Sequence, residues 1–384
     1  GVNHHDTHET KGYAENFNDL EKDVKLMKEF NVNCVRTSHY PPDPFFLELC
    51  DHYGLYVVDE ADIETHGIWD LGCEGGTISH DLKWAPRYMD RVKRMYFRDR
   101  THGSIIMWSL GNESWGYKCH DKCYEMLKEL TDIPVHYEGV CRTKRYHYDV
   151  FSEMYTHQDD MKKIRDRKRG KQYQEVPFYL CEYCHAMGVG PGALEEYMQI
   201  FFSDDIFMGG CIWEWADHSV LHDGSDKYKY QYTYGGDHGE CLHDKYFCVD
   251  GMFYPDRSPS TGAKIARHVY RPIRVKHVEG NKYEIFNRGK KEWRDFFEAE
   301  MYEMMDQLYN CVSIATWVPF NEGWGQFESD YMYTHVKSLD PTRLADSTSG
   351  WFAQNKNDFD SEHIYFKVID FLERFFPANS IQTI

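Results

Sequence analysis

Pro177-Phe178-Tyr179-Leu180-Cys181-Glu182 is a short apolar run that ends on a carboxylate, and Met208-Gly209-Gly210-Cys211-Ile212-Trp213 is a second run of similar length. Between them, Leu194, Tyr197, Met198 and Phe201 recur at the spacing of one helix face. Strand, amphipathic helix, strand is the repeating unit of a parallel sheet covered by helices. Toward the N-terminus the same alternation predicts strands near 34–38, 55–60, 104–110, 134–138 and 149–155, with Gly1 to His5 as a shortened first strand. Asn18-Asp19-Leu20-Glu21 reads as a helix start, an Asn cap with Glu three residues on, ahead of Leu20, Val24, Met27 and Phe30 on one face. Eight such units over residues 1–222 close most economically as a TIM (β/α)8 barrel, an α/β fold.

A barrel of this kind takes ~250 residues, so a chain of 384 has length to spare. Residues 223–262, rich in Gly, Asp, Tyr and His without a period, read as a loop-rich extension over the barrel mouth. Residues 263–289 read as the start of a β-sandwich-like segment, because Arg274 to Phe286 alternates as a strand pair about Gly280-Asn281. Residues 290–384 return to an α/β pattern, and Ile314 to Glu322 echoes the run from Trp108 to Glu113. Too few units follow for a second barrel, so this segment reads as a partial α/β repeat.

Lys and Arg number 44 against 63 Asp and Glu, a net charge of −19. Such a surface repels phosphate backbones and anionic bilayers, so neither nucleic acid nor a membrane is an expected partner. No apolar run approaches the ~20 residues of a membrane span. The 12 cysteines form no compact framework, and Cys34, Cys181 and Cys211 lie inside apolar runs. They read as reduced thiols of a cytoplasmic protein. Aromatic residues make up 16%, with 29 Tyr and 10 Trp, which suits stacking on sugar C–H faces; a large core would also absorb them.

In a barrel, residues at the C-terminal strand ends face the reaction centre. Glu182 holds that position, as does Glu113 in Trp108-Ser109-Leu110-Gly111-Asn112-Glu113-Ser114. Glycosidic cleavage needs such a carboxyl pair, although each glutamate alone also reads as a solvated or ion-paired side chain. Period-two alternation puts Leu180, Glu182 and Cys184 on one face and Cys181 and Tyr183 on the other, so Glu182 and Cys181 are not expected to face inward together. Glu60-Ala61-Asp62-Ile63-Glu64-Thr65-His66 has the composition of a hard-cation site, with Glu64, His66 and Glu113 around Mg²⁺, or of an ion-paired loop. His5, His39 and His185 each follow a strand, where imidazoles can donate to sugar hydroxyls or serve structure, and Trp213 suits a sugar platform or the core. Cys181-x-x-Cys184-His185, Cys119-x-x-x-Cys123 and His4-His5-x-x-His8 offer a zinc reading, which lacks the second tight C-x-x-C of a closed site.

Gly1-Val2-Asn3-His4-His5-Asp6, Val35-Arg36-Thr37-Ser38-His39-Tyr40-Pro41, Tyr56-Val57-Val58-Asp59-Glu60-Ala61, Ile63-Glu64-Thr65-His66-Gly67 and the two glutamate motifs together resemble glycoside hydrolase family 2. More narrowly, residues 1–285 resemble its large bacterial β-galactosidases, Cys-Glu-Tyr-x-His-Ala-Met-Gly being specific to that subgroup. The resemblance implies retaining hydrolysis of a β-galactoside, with Glu182 as nucleophile and Glu113 as acid and then base. It also implies that Tyr155 touches the nucleophile, that Asn112, His39, His185 and Asp250 contact the sugar, and that His5 contacts the transition state. Trp213 is the implied stacking ring. Glu64, His66 and Glu113 are the implied magnesium ligands, and the Phe247 carbonyl an implied sodium ligand.

Two residues depart from the family pattern: Asp250 stands where an Asn is usual, and His4 where an Arg is common. The family's flanking β-domains are missing from this sequence, which leads to an expectation of weak activity and leaves assembly into a homo-oligomer open. A related glycosidase such as a β-glucuronidase, or a galactoside-binding remnant without turnover, are the rival expectations. Residues 317–351 resemble the acid/base region of another family 2 branch, but no nucleophile segment follows Glu322, so Glu322→Gln is expected to leave activity intact.

Overall fold

Val2 pairs with Val35 on one side and with Ile212 on the other, so the first strand lies between the second and the last. The computed structural model describes residues 1–142, 148–222, 232–279, 282–287, 290–321, 326–350, 355–359, 361 and 363. Its eight-stranded parallel sheet comprises β1 (Val2–Asn3), β2 (Cys34–Arg36), β3 (Tyr56–Glu60), β4 (Ile105–Ser109), β5 (Val135–His136), β6 (Phe151–Met154), β7 (Phe178–Tyr183) and β8 (Phe207–Ile212). The order β5-β4-β3-β2-β1-β8-β7-β6 curls until its two ends meet. There the Asp149 amide donates to the Val135 carbonyl at 3.1 Å, and His136 and Ser152 bond at 3.0 Å. The expected (β/α)8 barrel is present, with strands mostly shorter than their apolar runs.

Two apolar layers hold it. Val58, Met107, Val150, Tyr179, Cys181 and Cys211 fill the barrel interior. A larger cluster, including Leu20, Val24, Met27, Phe46, Leu180 and Tyr183, packs strands against helices. Helix Phe17–Glu29 is capped by Asn16 rather than Asn18: the Asn16 side chain accepts from the Asn18 and Asp19 amides, and the Asp19 carboxylate accepts from the Asn16 amide. The extended backbone of Asn16 marks it as the residue outside the helix.

β7 departs from simple alternation. Tyr179 and Cys181 point into the barrel and Leu180 outward, but the ladder to β8 is irregular between Leu180 and Tyr183. The extra residue lets Cys181 and Glu182 both face the barrel side, which strict alternation forbids.

The barrel unit extends to Pro272, past the expected boundaries at 222 and 262. Residues 250–253 run beside the end of β8: Glu214 N donates to Asp250 O at 3.2 Å, Met252 N to Glu214 O at 2.9 Å, and Phe253 N to Trp215 O at 2.9 Å. The approach is close enough that a Cβ on Gly251 would lie 2.2 Å from Asp217 N. Helix Thr261–Val269, capped by Ser260, then buries Ala263, Ala266 and Val269 in the outer layer, so the start of the segment read as sandwich-like is helix.

The second unit, Ile273–Ile384, opens with the expected antiparallel pair, Ile273–Glu279 and Lys282–Asn287. Helix Lys290–Leu308 follows. Strands Thr316–Trp317 and Leu344–Ala345 are parallel and are joined through helix Ser329–Leu339, a partial α/β repeat around Met301, Met305, Trp317, Phe320, Met332 and Val336. Gly280, Asn281, Glu322 and Trp351 lie outside the described residues.

Candidate active site

Arg36 ends β2 with its guanidinium inside the barrel mouth, fully buried. Its Nε and Nη2 donate to the two Glu60 oxygens at 2.8 and 3.0 Å, a bidentate pair across neighbouring strand ends. Nη1 donates to Glu182 Oε1 at 3.0 Å and Asn3 Oδ1 at 2.9 Å, and Nη2 also reaches Asn112 Oδ1 at 3.0 Å. Burial alone would raise the Glu60 carboxyl; Arg36 and His39 instead hold it down at about 2. One cation thus ties the ends of β1, β2, β3 and β7 and the loop after β4.

Glu182 takes a second bond on its other oxygen, from the Tyr155 hydroxyl at 2.9 Å. Burial and then the Glu182 charge push the Tyr155 phenol up, so it stays a donor. His39 lies 2.7 Å from Glu60 Oε1, stacks on Trp213 at 5.0 Å and 11°, and approaches Asn112 Nδ2 at 3.4 Å. Trp213 donates its indole N–H to Asp250 at 2.9 Å. His5 stands edge-on to both Trp213 and His39. His185 lies 3.8 Å from the Asp250 carboxylate and tilts against the Tyr155 ring, with Phe247 at its outer edge, 6.4 Å between rings.

Glu113 belongs to a second, more exposed cluster: His66 Nδ1 is 2.7 Å from Glu113 Oε2 and 3.9 Å from Glu64 Oε1. The ligand atoms of all three lie within 4.8 Å of one another.

Residues 1–275 match the model of the TIM barrel domain of glycosyl hydrolases family 2. The chain belongs to that family. Among similar proteins, a Staphylococcus xylosus β-galactosidase is 38% identical over 80% of this chain and 31% of its own length. An Alteromonas mediterranea β-galactosidase is 42% identical over 67% of this chain and 25% of its own. The chain therefore spans about a quarter to a third of the curated relatives it matches. A Ruminococcus gnavus β-glucuronidase structure superposes with a TM-score of 0.52 at 20% identity, covering 70% of this chain and 50% of that one; this likeness concerns the fold.

The family 2 barrel thus gathers Glu182, Tyr155, Asn112, His39, Trp213, Asp250 and His5 into one connected set, and Glu64, His66 and Glu113 into another. The second set fits a divalent cation. Burial and then the neighbouring Glu113 charge raise the Glu64 carboxyl, a strain that a bound cation relieves. Two carboxylates and one imidazole suit magnesium with waters completing its shell.

Arg36 and Glu60 stand inside motifs read for other residues and were assigned no role. A charged residue in an apolar strand run was the available signal, because a buried charge needs a partner. Glu214 and His218 were also missed. Glu214 is fully buried, and burial lifts its carboxyl to about 8; the facing Asp250 is lifted to about 7 by burial and then by Glu214. The two bond to each other once one of them holds a proton.

Proposed function

We propose that this barrel is the catalytic domain of a retaining β-galactosidase. The observation that carries the reading is the fixed Glu182 carboxylate, held by Arg36 at 3.0 Å and by Tyr155 at 2.9 Å at a barrel mouth shared with Glu113. A Glu182 oxygen attacks the anomeric carbon while the glycosidic C–O bond breaks and its electron pair leaves with the aglycone oxygen. Glu113 gives that oxygen its proton. Glu113 then takes a proton from water, whose oxygen attacks the same carbon and expels Glu182 as a carboxylate. Two inversions return the original configuration.

The galactoside class rests on the relatives and on charge. Arg36 is engaged by Glu60 and Glu182, while Glu214 and Asp250 place carboxyls beside Trp213. A uronate would bring its own carboxylate to a mouth whose buried cation, Arg36, is already engaged. Magnesium is proposed at Glu64, His66 and Glu113, where it would supply positive charge that orients Glu113. The free thiols suit the reducing compartment proposed for the chain.

Trapping with a 2-fluoro-galactoside followed by peptide mass analysis tests the reading. Label on Glu182 is expected. Label on another residue, or none on folded protein, overturns the mechanism, and faster turnover of a glucuronide than of a galactoside overturns the sugar class.

A further inference from the structure

His5, Glu214 and His218 form a cluster that the hydrolytic reading does not use as a unit. Their ligand atoms lie within 4.8 Å of one another. His218 Nε2 is 3.0 Å from Glu214 Oε2, and the two imidazole rings are 4.7 Å apart between centroids. Two donors on one zinc ion stand roughly 3.3 Å apart, given bonds of ~2.0–2.1 Å at a tetrahedral angle, so the His218–Glu214 spacing already matches shared coordination. His5 Nδ1 is engaged by the Tyr40 hydroxyl at 3.1 Å, which leaves Nε2 as its free ring nitrogen for a metal. That arrangement is the one in which an outer hydrogen bond fixes the orientation of a metal-binding imidazole. Glu214 is fully buried, with Oε2 turned to His218.

The cluster borders a cavity at His218. This cavity, of about 850 Å³, is lined by Thr7, Asp217, His218, Ser219 and Thr233 among others, so His218 forms part of its wall.

We infer that His5, Glu214 and His218 bind a zinc-class divalent cation at a site separate from Glu64, His66 and Glu113. The two clusters differ in donor chemistry. Two imidazoles and one carboxylate favour zinc or copper over magnesium, whereas two carboxylates and one imidazole favour the harder ion. Three protein ligands leave a fourth position open to water or to a sugar hydroxyl. Where the galactosidase reading holds, an ion here sits against His5, which faces Trp213, and zinc inhibits turnover; binding itself does not depend on that reading.

The test is calorimetric titration of the full chain with Zn²⁺ in excess Mg²⁺, which keeps the harder site filled. One equivalent is expected to bind. His218→Gln and His5→Gln should each weaken it by more than the ~10–100-fold that an outer supporting contact to a metal ligand is worth, while His66→Gln leaves it unchanged. Co²⁺ in place of zinc should give visible absorption bands that His218→Gln removes. Circular dichroism and thermal unfolding report whether each variant is folded, and His5→Gln decides if His218→Gln is not. Absence of a zinc equivalent, or an equivalent lost on His66→Gln and kept on both His5→Gln and His218→Gln, overturns the assignment.

Discussion

Arg36 Nη1 lies 3.0 Å from Glu182 Oε1 while the same guanidinium grips both oxygens of Glu60, and all three side chains are buried. Arg36 makes five hydrogen bonds to four side chains, Glu60, Glu182, Asn3 and Asn112, which the five N–H groups of a guanidinium supply and the three of an ammonium do not. Arg36→Met would leave two buried carboxylates without their cation, and breaking a buried pair costs ~3–5 kcal/mol. Denaturant unfolding should show a loss of that order, partly restored in Arg36→Met/Glu60→Gln. An additive double variant would show that Arg36 and Glu60 act independently.

Gly111 has a φ of +115°, and a Cβ there would fall 2.3 Å from the Ile63 carbonyl oxygen, which accepts the Asn112 amide at 2.9 Å. Glu64 follows on one side of this contact and Glu113 stands two residues beyond on the other. Gly111→Ala should therefore separate two of the three proposed magnesium ligands. Backbone strain of ~1–3 kcal/mol corresponds to a change in magnesium affinity of about fivefold to 150-fold, read by titration of the metal-free chain. Unchanged affinity would mean that the loop absorbs the methyl elsewhere.

The strand-to-helix alternation was legible because period two and period 3.6 are local, and barrel closure followed from counting. The strand-end position of Glu182 and Glu113 was legible for the same reason. Long-range facts were not. The pairing of Arg36 with Glu60 joins two strands, and the β7 irregularity that turns Glu182 inward beside Cys181 depends on how β8 pairs with it. Helix Thr261–Val269 was masked by the irregular stretch before it, although Ser260 ahead of Ala263, Ala266 and Val269 carried the cap and spacing that announce it.

Glu15 is nearly buried, and neither of its oxygens has a hydrogen-bond partner. Burial raises its carboxyl from 4.5 to about 8, against the opposing pull of His4 and Arg257. Below pH 4.5 the folded and unfolded chains both hold this proton, and the contribution to stability is fully present. Between 4.5 and about 8 the unfolded chain releases it and the folded chain retains it, so stability falls as pH rises. The loss is on the order of 3 kcal/mol by pH 7, at ~1.4 kcal/mol per unit. Glu15→Gln should match the parent at pH 4 and exceed it at pH 7 in denaturant midpoint; parallel pH profiles would refute the burial argument.

His66 is more than half exposed, so its contact with Glu113 contributes ~0–1 kcal/mol to folding. His66→Ala should leave the melting temperature nearly unchanged yet shift the magnesium dependence of turnover to higher concentration. Equal magnesium dependence in both proteins would remove His66 from the metal site.

Tyr155 donates to Glu182 Oε2, a bond that favours the carboxylate over the glycosyl ester. In the proposed mechanism the carboxylate is the attacking group in the first step and the departing group in the second. Loss of the donor leaves the ester relatively more stable and makes Glu182 a poorer leaving group, so the second step slows more. Tyr155→Phe should lower kcat by ~10²–10³, the scale of one removed donor to a reacting oxygen. It should also convert turnover of a nitrophenyl galactoside into a burst followed by a slow phase, with glycosylated Glu182 accumulating in the mass spectrum. A reduced rate with no burst would place the Tyr155 contribution in the first step, and an unchanged rate would remove it from the reaction.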